Sequence, residues 1–167
     1  MKQSNILDKS LVFKVILHLS ALGEKWTPAA YALFRVAFSV IILTHGIPKL
    51  LGIPHGNIQE PMPALINGIQ NVFQLPFAPQ LAFIVMIVET LGAVCISLGL
   101  MTRFVSGVFA IQMVFACYLH APKFAWAIGG YEYPLMLVFI SLYMSVHGSG
   151  QYSLDQLLIK RHKAGVK

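Results

Sequence analysis

The sequence predicts an all-α integral membrane protein: a four-helix bundle with an N-terminal amphipathic interfacial helix and a short C-terminal surface helix. Three observations carry that prediction. Hydrophobic residues make up 57% of the 167 positions and charged ones 11%, against about 25% charged in an ordinary soluble domain. Mean hydropathy is +0.72, and the apolar residues fall into blocks near the ~20 residues a helix needs to cross a bilayer. The formal net charge of +6 suits an anionic membrane surface, and no basic–aromatic alternation points to nucleic acid as a partner.

Residues 1–28 form the first element. "LVFKVILHLSALG" opens like the apolar core of a signal peptide, yet Lys14 and His18 interrupt it one helical turn apart. Leu11, Val15, Leu19 and Leu22 line another face, the pattern of a helix lying in the membrane interface. The bundle occupies 29–147, with spans at about 29–51, 80–100, 103–121 and 131–147. Only "MT" separates the second span from the third, so those helices are antiparallel neighbours.

The exterior linker 52–79 holds five prolines and cannot be one regular helix. Its centre, "PALINGIQNVF", repeats Leu65, Ile69 and Phe73 at one-turn spacing and predicts a short helix capping the bundle mouth. Residues 148–167 return to the inner surface. There Ser153 and Gln156 stand in capping-box spacing, ahead of an apolar stripe and a basic tail. Cations set the orientation: Lys2, Lys9, Lys14, Lys25, Arg103, Lys160, Arg161, Lys163 and Lys167 fall on one side, Lys49 and Lys123 on the other. That imbalance places both termini in the cytoplasm.

Charge inside a membrane costs at least ~2.5–3.5 kcal/mol per group and needs a partner or a purpose. Arg35 and Glu89 are the two charges that no boundary shift removes. Counted from the cytoplasmic side at ~1.5 Å per residue, they lie ~9 and ~17 Å deep, within reach of one another, so an Arg35–Glu89 ion pair is expected, structural or proton-relaying. On the first span Arg35, Phe38, Ile42, His45 and Lys49 follow three–four spacing and face inward. Pro48 frees a carbonyl near the outer end. The third span offers Arg103, Ser106, Ala110, Met113, Cys117 and His120, and the fourth opens "GGYEYP" with Glu132 and Tyr133. His45, Lys49, Glu89, His120, Glu132 and Tyr133 are therefore expected to line an outward-facing polar cavity. Cys95 and Cys117 form no CxxC, and neither they nor the histidines show metal-ligand spacing, so no metal site is expected.

Four stretches, "LFRVAFSVIILTHGIPKLLG" (33–52), "VETLGAVCISLGLMTR" (88–103), "GGYEYPLMLV" (129–138) and "GSGQYSLD" (148–155), together resemble the DoxX family of small four-helix membrane proteins. The resemblance implies a bacterial or archaeal inner-membrane protein. Some relatives are subunits of membrane oxidoreductases, including thiosulfate:quinone oxidoreductase, and others are linked to redox or electrophile stress. Matching positions carry the family's polar residues onto Arg35, His45, Lys49, Glu89 and Glu132. The expected function is a quinone-binding or accessory subunit of a redox system. Quinone is then the ligand, no cofactor is covalently bound, and the partners are the lipid bilayer, a redox subunit and a second copy of the chain. No flavin motif, haem ligand pair or iron–sulfur spacing would supply electrons from this chain alone. Two other readings stand beside it: a small-anion or proton-coupled transporter, and a membrane scaffold for partner proteins.

Overall fold

A computed structural model describes residues 4–165, with the backbone alone for Ser4–Ser10 and Trp126. Lys2 and Lys167, part of the orientation argument, lie outside the described residues. Seven α-helices run in order: α1 (Ser4–Leu51), α2 (Pro61–Asn71), α3 (Ala78–Ile87), α4 (Ala93–Leu98), α5 (Thr102–His120), α6 (Glu132–His147) and α7 (Leu154–Gly165). A π-helical turn, Val88–Gly92, joins α3 to α4 in one continuous rod. Leu11–Leu51, Ala78–Leu98 and Thr102–His120 are each long and apolar enough to cross a membrane. The fourth rod, α6, has 16 residues, ~24 Å of helix, and packs along α5. The protein is an all-α membrane protein.

The bundle closes around Phe38 and Ile42 of α1, Ala93 and Ile96 of α4, Phe109 and Met113 of α5, and Leu137, Val138 and Met144 of α6. Successive rods are antiparallel. At one end the Tyr31 hydroxyl donates to the Gly148 carbonyl at 2.6 Å; at the other the His45 and Tyr133 rings lie 6.3 Å apart.

The tight turn between α4 and α5 is built as a Schellman motif. Leu100 N–H donates to Cys95 O (2.8 Å) and Gly99 N–H to Ile96 O (3.1 Å), with Gly99 at φ +70°, a conformation that favours glycine. The chain after α6 docks on this turn. Met101 N–H donates to Asp155 Oδ1 at 3.0 Å, and Asp155 N–H donates to Gly99 O at 3.2 Å. Ser153 Oγ accepts from Gln156 N–H at 3.3 Å, the N-terminal half of the expected capping box. α7 buries no residue, as a surface helix should.

The N-terminal segment is continuous with the first span. No separate interfacial helix ends near residue 28: α1 passes through Pro28 and Pro48 and runs 48 residues. A proline interrupts one hydrogen bond without forbidding the helix on either side. Val12, Phe13, Ile16 and Leu17 are exposed as well as Leu11, Val15 and Leu19, so the apolar face is broad, and Lys14, His18 and Lys25 share the remaining polar strip.

Candidate functional site

A cavity of about 570 Å³ occupies the half of the bundle that the 52–79 linker covers. Ile42, His45 and Lys49 of α1 form one wall, Val88 and Glu89 of the π-turn the next, Gln112 and His120 of α5 a third, and Tyr133 and Leu137 of α6 close the circuit. The linker covers the mouth. His55 and Ile58, then Pro61, Leu65 and Ile69 of α2, and Phe73 beyond it all face the cavity. The helix that the linker's periodicity predicts is therefore present, and it roofs the space.

The chemistry of the site centres on Glu89, which is 7% exposed. One carboxylate oxygen accepts from the Lys49 ammonium in an ion pair. The other accepts from the Gln112 side-chain amide at 2.8 Å. Two opposite charges thus cancel inside the protein, and the pair is tied to a third helix by a neutral donor. Burying charge singly would be far more costly than burying this pair.

Two local features bring Glu89 there. The π-turn inserts an extra residue into the rod and re-aims its side chains, a device that recurs at functional sites. Thr90 supports it by donating to Met86 O at 2.8 Å. Opposite stands Gly46 of α1. A Cβ at that position would lie 2.6 Å from the Glu89 carbonyl oxygen, so glycine lets the two backbones meet. Lys49, three residues further along α1, then reaches the carboxylate from above.

His45 stacks edge-on with His55, ring centroids 4.6 Å apart, and faces Tyr133 across the cavity. His120 Nδ1 lies 3.1 Å from the Gly129 carbonyl, which ties the loop after α5 to the cavity rim. Among the described residues no three His, Cys, Asp or Glu side chains gather as a metal-binding group.

The structure thus brings His45, Lys49, Glu89, His120 and Tyr133 to one cavity. Glu132 is exposed and is not part of the cavity wall, because Tyr133, its neighbour on α6, points inward instead. The expected Arg35–Glu89 pair does not form. Arg35, 1% exposed, donates through Nη2 to the Tyr152 carbonyl and sits 5.6 Å from the centre of the Tyr31 ring. Gly46, not Arg35, shares a level with Glu89. Eleven residues separate those two positions on α1, ~16 Å of helix, which no arginine side chain spans. Gln112 and His55 were not among the expected site residues. Gln112 had a sequence signal, a polar amide in the middle of the apolar run "FAIQMVF"; His55, in an irregular linker, had none.

Residues 30–122 match the family model described as DoxX. A Bacillus subtilis (strain 168) protein named "Putative oxidoreductase CatD" is 26% identical over 133 residues, covering 80% of this chain and 90% of that protein. An "Uncharacterized protein" of Haemophilus influenzae is 26% identical over 150 residues, covering 83% of this chain and 97% of its own length. No solved structure matches.

Proposed function

The chain belongs to the DoxX family, and from that membership we propose that it is an inner-membrane subunit of a redox system, holding a quinone head group against Lys49, Glu89 and Gln112. The observation that carries this reading is the placement of one neutralised, hydrogen-bonded polar cluster in a mostly apolar cavity between helices long enough to cross a membrane. A quinone needs donors at its carbonyl oxygens and a route for protons. Lys49 is a three-donor group and Gln112 a two-donor amide, so each keeps a donor beyond the one given to Glu89. His45 and Tyr133 offer further polar contacts on the facing wall.

Reduction of a quinone to its quinol takes two electrons and two protons. Glu89 would hand on the protons, and a partner subunit carrying a redox centre would supply the electrons. The oxidoreductase name of the Bacillus relative supports the redox assignment. A small anion fits less well, because aliphatic and aromatic side chains make up most of the cavity wall. With both termini cytoplasmic, as the cation distribution favours, the cavity opens toward the outer face.

Native mass spectrometry of protein gently extracted from its own membrane tests this. The wild type should retain a quinone, and the double variant Lys49→Met with Glu89→Leu, which leaves no unpaired buried charge, should release it while remaining folded. Protein free of quinone in every preparation, yet holding a protein partner or an anion, would overturn the assignment.

A further inference from the structure

The roofed cavity has a second opening, in its side. Ile84 of α3, with Ile111 and Phe115 of α5, all line the cavity, yet they are 56%, 63% and 48% exposed. Residues that form an inner wall and an outer surface at once mark the edges of an aperture. Three of these edges belong to two facing helices, α3 and α5, and Leu75 and Ile58 of the linker, 41% and 48% exposed, border the same cavity above them.

The packing explains the gap. α5 lies along α6 and meets the second rod mainly around the π-turn and α4, whereas α3 leans on α2 and α1. Outward from the π-turn the two helices therefore part. Above the gap Phe73 packs its ring on Phe115 and Tyr118, with centroids 5.5 and 5.4 Å apart. Gly68 seats α2 so tightly on Leu119 that a Cβ would meet its methyl at 3.2 Å. Water from the exterior meets this roof, while the side aperture faces sideways at the level of the polar cluster. Ile84 lies five residues from Glu89, ~7.5 Å along the helix, and Ile111 is the chain neighbour of Gln112. An apolar frame at that depth borders hydrocarbon, not water.

We propose that the ligand enters from within the bilayer through this window between α3 and α5, and that its long apolar tail stays threaded there while its head reaches Lys49, Glu89 and Gln112. The identity of the head rests on the quinone reading; the window does not. The site thereby selects single-tailed lipophilic molecules and excludes water-soluble analogues of the same head group by weaker retention.

Two measurements on the full chain in lipid nanodiscs separate these claims. The first compares binding of a tail-less naphthoquinone with the same head group carrying an isoprenoid chain. Ile84→Trp combined with Ile111→Trp should weaken the tailed ligand about tenfold or more and leave the tail-less one unchanged. Val146→Trp, on an 80% exposed position of α6 outside the cavity, should change neither. Equal binding of the tailed ligand by wild type and the plugged variant would overturn the window, as would equal losses for both ligands.

The second measurement needs no quinone. With Trp26→Phe and Trp126→Phe as background, Val108→Trp places an indole on the cavity wall. A brominated alkane dissolved in the bilayer should quench it, and plugs that add no indole, Ile84→Phe combined with Ile111→Phe, should remove the quenching. Absence of quenching would overturn the window whatever the head group. Quenching without any quinone binding would keep the window and retire the quinone.

Discussion

Gly46 carries more of the site than its lack of a side chain suggests. It is the point where α1 touches the π-turn, and the adjoining backbone has no flexible side-chain tip that could move aside. Gly46→Ala should cost about 1–3 kcal/mol, read as a lower denaturation midpoint in detergent, and should loosen quinone retention because Lys49 is carried away from Glu89. The ion pair itself behaves differently. Removing either partner leaves a buried charge, so Lys49→Met and Glu89→Leu are each expected to destabilise, by up to about 3–5 kcal/mol. The double variant, with both charges gone, should recover most of that stability while remaining unable to bind the ligand. Equal stability in all four proteins would mean that the pair contributes nothing to the fold.

Among the elements that line the cavity, α2 is held by a small apolar cluster of its own. Its inward residues Ile69, Leu65 and Ile66 pack on Ala78, Leu81 and Ala82 of α3, and Phe73 anchors the end nearest α5. Aromatic pairs of this kind contribute about 0.5–1.5 kcal/mol each. Phe73→Ala should raise amide hydrogen exchange across 61–71 and leave α5 and α6 unchanged. The existence of α2, and of the rods at 78–98, 102–120 and 132–147, was legible because apolar periodicity and turn residues act locally. The N-terminal limit of the first span was not, since nothing in α1 interrupts the helix where it enters the membrane. That missing landmark also misplaced Arg35 against Glu89: depth is measured from the boundary, and an error of one turn at each of two helices changes the partner. The π-turn escaped for a related reason. An added residue rotates everything beyond it by about 100°, and no count of threes and fours anticipates where that happens. Gln112 was passed over because attention to formal charge overlooks a neutral amide, although inside hydrocarbon its donors matter as much.

Taken whole, the molecule is polarised. One end gathers Tyr31, Arg35, the Gly99 turn and the 148–155 segment; the other holds the cavity and its roof. Single-cysteine labelling checks the sidedness, since Cys95 and Cys117 are the two native thiols and both can be replaced. Lys123→Cys should react with a membrane-impermeant maleimide on intact cells, and Lys163→Cys only after permeabilisation. The reverse pattern would invert the orientation proposed for the cavity. The end around Arg35 also has a consequence in time. Arg35 and the Tyr152 carbonyl that receives its guanidinium are 117 positions apart in the chain, with three of the four rods' ends between them. During synthesis Arg35 enters the membrane long before its acceptor exists, and Asp155 clasps the Gly99 turn later still. Residues that emerge after the fourth rod are therefore the ones that complete the burial of an early charge. A chain cut short after His147 would hold all four rods and still present an unsettled arginine to membrane proteases, so it is expected to decay in a pulse-chase while the chain extending through Asp155 persists.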